Sequence, residues 1–306
     1  MRATTPITRT NRFPPRPRQA LTRPPYLPAS STPKRCGPLS IRRPTRHTSA
    51  DAHPERAVEV AVPTAGDRMR ASAMAVRACL NGGRTRAEHP GVPLSPAELA
   101  ADAIAVRAAG AFAVHIHPRD RDGVQTMDAR ACDAAVAAIR AAVPRLPIGV
   151  STSAAIDPDP FARAAALATW RQPPDFVSVN LSELGWAGIA RAARHAGIAI
   201  EAGLAVAADA EELRRGPFAH QVLRALVEVD GGADDARAIA ELIPPGVAQL
   251  WHGSGARTWE VISAAGAAGV DVRVGLEDAL VLPDGSTAAD NAELVAAAVA
   301  LIGAGG

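Results

Sequence analysis

The sequence predicts an α/β fold of the (β/α)8 barrel type, and three observations predict it. From residue 77 onward, short β-type runs alternate with Ala-rich stretches of helical period, eight times over. The eight units fill about 230 residues, a length that matches a closed barrel better than an open doubly wound sheet. Polar side chains gather where the runs end, and barrels of the TIM type build their sites on the C-terminal ends of several strands at once.

The runs cover residues 77–81, 112–117, 147–151, 175–180, 198–201, 221–229, 248–252 and 271–276. The first stops at Asn81, Gly82 and Gly83, a tight turn whose amides could meet an anion or simply reverse the chain. Ser95, Pro96, Ala97 and Glu98 then read as an N-cap, a proline at the first helical position and an acid at the third. The second run ends on His115 and His117, and the third on Ser151 and Thr152 in "GVSTSAAIDPD". The fourth, in "DFVSVNLSELG", ends on Ser178 and Asn180, with its helix starting near Glu183. The fifth, sixth and seventh end on or near Glu201, Glu228 and His252. The eighth ends on Glu277 and Asp278, and a closing helix starts at about Ala289.

Composition divides the chain. Residues 1–50 hold ten Arg and Lys34, ten Pro and no acid, with no helix or strand period. From Met69 to the end, 20 Arg face 27 Asp and Glu, so the periodic part carries seven more negative charges than positive. A nucleic-acid partner would therefore rest on the tail alone, and none is expected. We divide the chain into an Arg- and Pro-rich tail, 1–72, and a catalytic barrel, 73–306. The tail reads as a disordered basic arm, a transit peptide, or sequence upstream of the true start; Met69 and Met74, just before the first run, favour the last. No apolar run reaches the length of a membrane span. Cys36, Cys79 and Cys132 are odd in number and widely spaced, which fits a reducing cytoplasm.

Lys34 is the only lysine of the chain. The barrel can thus form no Schiff base with a carbonyl substrate, and carbonyl chemistry there calls for a metal electrophile. Residues two apart on a strand share a face, so His115 and His117 form half of a metal site, or a pair of satisfied core histidines. Asp120 would support them or anchor their loop. Glu277 could complete a His2Glu zinc set with an open position, leaving Asp278 as general base; either acid could instead cap a helix or loop. Arg273 could hold Asp278, or a substrate carboxylate, in a bidentate pair. Ser151 and Thr152 could bind a substrate carboxylate or merely form a turn. Asn180 could contact a carbonyl oxygen or cap a helix. Glu201 reads as a supporting acid or as an ion-paired barrel residue.

Taken in order, "LNGGRTRAEHPGVPLSPAELA", "VHIHPRDRDG", "GVSTSAAIDPD", "DFVSVNLSELG", "IEAGL", "WHGSGARTWEVISAAGAAG" and "RVGLEDALVLPDGSTAADNAELV" resemble the β-keto acid cleavage enzyme family, from about Arg77 to Ile302. The resemblance implies a zinc-dependent barrel that reacts a β-keto acid with acetyl-CoA, as co-substrate, to give acetoacetate and a new acyl-CoA. It implies His115, His117 and Glu277 as metal ligands, Asp278 as the base and Arg273 as the arginine orienting it. It also implies Ser151 as the hydroxyl near the substrate carboxylate, Glu201 as a supporting acid, and a homo-oligomer. One departure bears on substrate choice. Where the family often carries an acid that meets a substrate amino group, this chain has Gly83, Arg84 and Thr85. Arg84 would repel an ammonium and suit an anionic or neutral substituent.

Two other readings stay open. A zinc hydrolase barrel also starts from an HxH pair, but it usually adds a bridging lysine or two later histidines and an aspartate. A metal-binding barrel without turnover would act as a sensor or scaffold; dependence on acetyl-CoA separates the first reading from both. For the tail, mass spectrometry of the native protein is expected to find an N-terminus at Met69 or Met74, and peptides from before Met69 would exclude the later start.

Overall fold

The computed structural model describes residues 74–303, so the tail with Lys34 and Cys36 lies outside the described residues. Eight parallel strands close on themselves in sequence order: β1 (Val76–Cys79), β2 (Ala111–Ile116), β3 (Ile148–Ser151), β4 (Phe176–Asn180), β5 (Ala199–Leu204), β6 (Arg224–Val229), β7 (Gln249–Gly253) and β8 (Asp271–Val274). Pairing of Arg77 with Arg273 joins β8 back to β1. Helices α1 (Pro96–Ala108), α2 (Ala129–Ala142), α3 (Pro160–Leu167), α4 (Trp186–His195), α5 (Ala207–Arg215), α6 (Ala233–Ala240), α7 (Thr258–Ala268) and α8 (Asn291–Gly303) follow the strands in turn. This is the (β/α)8 barrel expected from the period. The N-cap forms as read: Ser95 accepts from the Glu98 amide and Glu98 from the Ser95 amide, a reciprocal pair that closes the first turn of α1. Among the described residues no helix is long and apolar enough to cross a membrane.

Strand parity sorts side chains into two cores. Val114 and Ile116 of β2, Val177 and Val179 of β4 and Val272 and Val274 of β8 face outward into a continuous apolar layer beneath the helices. Residues of the opposite parity fill the barrel interior, and here the packing is charged. Glu201 is fully buried, paired with Arg77 of β1 and lying 3.3 Å from Arg224 Nε of β6. The two guanidiniums stack near the Phe176 ring, at 5.7 and 5.3 Å from its centroid, and Arg224 also covers Phe112 at 5.2 Å. Gly149 makes room for that ring, since a side chain there would strike it.

One expected boundary changes in a way that matters. β5 was read as ending at Glu201, but it runs three residues further, to Leu204. Glu201 therefore sits below the mouth, inside the barrel, as the ion-paired residue that the sequence left as one of its two readings. Burial alone would raise its pKa, yet Arg77 and Arg224 outweigh burial and bring it down to about 2.

A buried charge that loses its partner is costly, so Glu201→Gln should destabilise the fold by about 3–5 kcal/mol in urea unfolding. The folded pKa of Glu201 is depressed from 4.5 to about 2, so its contribution is fully present above pH 4.5 and is lost as pH falls toward 2. The variant should flatten the decline of stability in that window, measured by denaturant midpoint against pH; an unchanged slope would refute the ion-pair account.

Candidate active site

The strand ends bring His115, His117 and Glu277 together. His117 Nε2 lies 3.5 Å from one Glu277 oxygen and His115 Nε2 lies 4.0 Å from the other. The three ligand atoms lie within 4.8 Å of one another, and no other such cluster occurs among the described residues. The two rings meet edge to face, with centroids 5.2 Å apart, as expected for alternate residues on one pleated face.

The outer nitrogens of both rings are engaged, which turns both Nε2 atoms toward Glu277. His117 Nδ1 bonds to Gln125 Oε1, and His115 Nδ1 lies 3.4 Å from Ser178 Oγ. Ser178 in turn donates to Glu201 at 2.8 Å, linking the interior ion pair to the first histidine. Asn81 fixes the backbone of His117 by exchanging two hydrogen bonds of 2.9 Å with it. Burial pushes the His115 pKa down to about 3, against the opposing pull of Glu277, so the ring is neutral and able to ligate.

Glu277 and Asp278 follow β8 in a tight turn in which the Asp278 and Ala279 amides both return to Gly275 O. Gly82, with φ +49°, lies directly against Glu277, and any side chain there would overlap its Cβ and Cγ. Arg273 holds both acids: Nη2 reaches Glu277 Oε1 at 2.5 Å and Asp278 Oδ1 at 2.7 Å, and Nε lies 3.1 and 3.2 Å from the two Asp278 oxygens. Burial would raise the Glu277 pKa, but Arg273 and the two histidines hold it well below the usual carboxylate range. Its Oε2 is buried and makes no hydrogen bond. A buried carboxylate with an oxygen that has no donor, beside two imidazoles, is the donor set of a divalent metal with two N ligands and one O, so these residues fit zinc.

Other expected residues fall around this centre with varied roles. Ser151 is buried and accepts only from the Ser153 amide, at 3.3 Å, which leaves its hydroxyl hydrogen available. Thr152 gives its hydrogen to Ser178 O at 2.7 Å, so its hydroxyl acts as a strut between β3 and β4. Asn180 donates to Glu183 at 3.2 Å within a turn, and α4 starts at Trp186, later than the sequence suggested. Arg84 is half-buried at the rim, donating to Leu276 O at 2.8 Å and to Glu88 at 3.1 Å. Asp120 anchors its loop by accepting from the Asp122 and Val124 amides.

Gln125 and Ser178 were given no role from the sequence. The signal for Gln125 was the Asp122-Gly123 pair, which reverses the chain so that Arg119 pairs with Gln125 in a small antiparallel bridge. Arg119, on that hairpin, donates to the carbonyls of Gly82 and Arg84 and ties the first two loops together. His195 and His220 are both exposed and stand outside the cluster.

The profile of the family described as beta-keto acid cleavage enzyme matches residues 74–306. The 3-keto-5-aminohexanoate cleavage enzyme of Fusobacterium nucleatum subsp. nucleatum is 26% identical over 249 residues, covering 74% of this chain and 90% of that protein. Among solved structures, the apo structure of ObcA aligns with a TM-score of 0.54 at 17% identity, covering 68% of this chain and 61% of ObcA, less than two thirds of its length. A ternary complex of ObcA with C4-CoA adduct and oxalate aligns equally, with a TM-score of 0.54 at 18% identity, covering 68% of this chain and 62% of that one. A native KDPGal structure aligns at 0.50 with 20% identity, over 75% of this chain and 95% of that one. At these identities the solved structures establish the barrel fold.

The geometry sets an order of effects on metal binding. His115→Ala should abolish zinc retention, measured by metal analysis after dialysis. Gln125→Ala should keep the ligands but weaken zinc affinity by about 10–100-fold, because His117 loses the bond that orients it. Equal retention by wild type and His115→Ala would reject the ligand set.

Proposed function

This chain belongs to the beta-keto acid cleavage enzyme family, and we propose that it condenses a β-keto acid with acetyl-CoA and cleaves the product to acetoacetate and a new acyl-CoA. The observation that carries this reading is Asp278, a buried carboxylate gripped by Arg273 beside the His115, His117 and Glu277 set. Zinc held by those three residues would supply the Lewis acidity that the lysine-free barrel cannot supply through a Schiff base. The remaining chemistry falls to the side chains.

Asp278 takes the proton from the carbon between the two carbonyl groups of the keto acid, and Arg273 holds the carboxylate in place for that transfer. The Ser151 hydroxyl donates to the substrate carboxylate, with Thr152 and Asn180 shaping the wall beside it. Glu201 supports His115 from below through Ser178. The substrate carbanion attacks the thioester carbon of acetyl-CoA and CoA thiolate leaves. The thiolate then adds to the original keto carbon, the bond between that carbon and the former carbanion carbon breaks, Asp278 returns its proton to the carbon released, and acetoacetate departs. Acetyl-CoA and R-CO-CH2-COO⁻ thus become acetoacetate and R-CO-CoA, with every atom accounted for. Arg84 at the rim directs the choice of R toward neutral or anionic substituents and away from amines. We propose a homo-oligomer in the cytoplasm as the working form.

The test is metal content together with acetoacetate release from a panel of β-keto acids, with and without acetyl-CoA. We expect about one zinc per chain and acetoacetate only when acetyl-CoA is present. Asp278→Asn should keep its zinc and lose about 10²–10⁴-fold in turnover. Zinc without acetoacetate would reject the cleavage activity, and full turnover by Asp278→Asn would assign the base elsewhere.

A further inference from the structure

Two side chains at the barrel mouth have no part in the chemistry above. Glu228 comes from β6 and His252 from β7, and His252 Nε2 hydrogen-bonds to Glu228 Oε2 at 2.9 Å. His252 is buried, at 2% exposure, while Glu228 is half-buried and opens toward solvent. The other ring nitrogen, His252 Nδ1, is buried without a hydrogen-bond partner and faces Asp278 Oδ1 at 3.6 Å. Arg273 closes a ring of polar groups: its Nη2 reaches Asp278 Oδ1 at 2.7 Å and its Nη1 lies 3.6 Å from Glu228 Oε2. Two carboxylates thus alternate with one guanidinium and one imidazole.

Within this ring the oxygens of Asp278 are not equivalent. Oδ1 faces Arg273 Nη2 and Nε on one side and His252 Nδ1 on the other, whereas Oδ2 meets only Arg273 Nε, at 3.1 Å. We propose that His252, oriented by Glu228, is a positioning residue that with Arg273 grips Oδ1 of Asp278 and leaves Oδ2 as the oxygen that meets the substrate. This rests on the reading of Asp278 as the base. The imidazole has an acid at each edge, Glu228 at Nε2 and Asp278 at Nδ1, so the first fixes the ring plane in which the second nitrogen meets Oδ1. A carboxylate held on one side alone can rock, and a misplacement of about 1 Å lowers a rate by about 10²-fold.

The experiment compares zinc-loaded full-length wild type, His252→Ala and Glu228→Gln for kcat, KM of the keto acid, metal content and response to added imidazole. His252→Ala should lose about 100-fold in kcat with KM and zinc content held, and imidazole should restore a large part of the loss. Glu228→Gln should lower kcat in the same direction without changing KM. An unchanged kcat in His252→Ala, or a loss that imidazole does not relieve, overturns the proposal. If His252→Ala fails to fold, Glu228→Gln decides, and wild-type kcat there overturns it. Wild type that makes no acetoacetate from acetyl-CoA rejects the reading of the whole site, and this proposal with it; active wild type beside an unaffected His252→Ala rejects the proposal alone.

Discussion

Three carboxylates, those of Glu228, Glu277 and Asp278, converge on one guanidinium at the open end of the barrel, and the rest of the site depends on Arg273 keeping them there. In a buried setting, like charges this close would protonate or move apart. Arg273 answers all three at once, because its planar fork presents donors in several directions from a rigid strand. The result is a pair of adjacent acids with different surroundings. Glu277 turns its donor-free oxygen toward His115 and its other oxygen toward His117, and Asp278 is held beside it.

The histidines are prepared by a different device. The pleat of β2 places both rings on one face, but it does not decide which nitrogen points inward. That choice is made by neighbours on other elements: Gln125 on the hairpin after β2, and Ser178 on β4 with Glu201 behind it. The interior ion pair of Arg77, Glu201 and Arg224 is therefore more than a packing solution. It sets the acceptor that orients Ser178, and through Ser178 it reaches His115. A charged interior below and a hairpin above hold His115 and His117 from both sides, the arrangement that a preorganised site requires.

Much of this was legible in the chain itself. The alternation of β-type runs and Ala-rich helical stretches predicted the closed barrel, since eight such units in this length fit closure better than an open doubly wound sheet. His115, His117, Glu277 and Asp278 were legible as a group because charge and imidazole at strand ends have few inert explanations. Glu201 was misplaced by three residues of strand, because Ala202, Gly203 and Leu204 carry too little β signal to extend the run by eye. Thr152 read as a donor to substrate or as part of a turn, yet its hydrogen goes across the strands to Ser178 O, a partner that no local pattern names; Asn180 read as a carbonyl contact or a cap, and it donates to Glu183 in the local turn.

By itself the sequence determined the fold class, the polar rim and the residue types available for chemistry, because period, strand-end polarity and the absence of lysine in the barrel are properties of the chain read in order. Only the tertiary structure decided who faces whom. Barrel closure brings β1, β5 and β6 together around Glu201, and it brings β6, β7 and β8 together around Asp278. These contacts join residues far apart in the chain, and their distances follow from how the closed sheet staggers its strands, a quantity that no window of sequence contains.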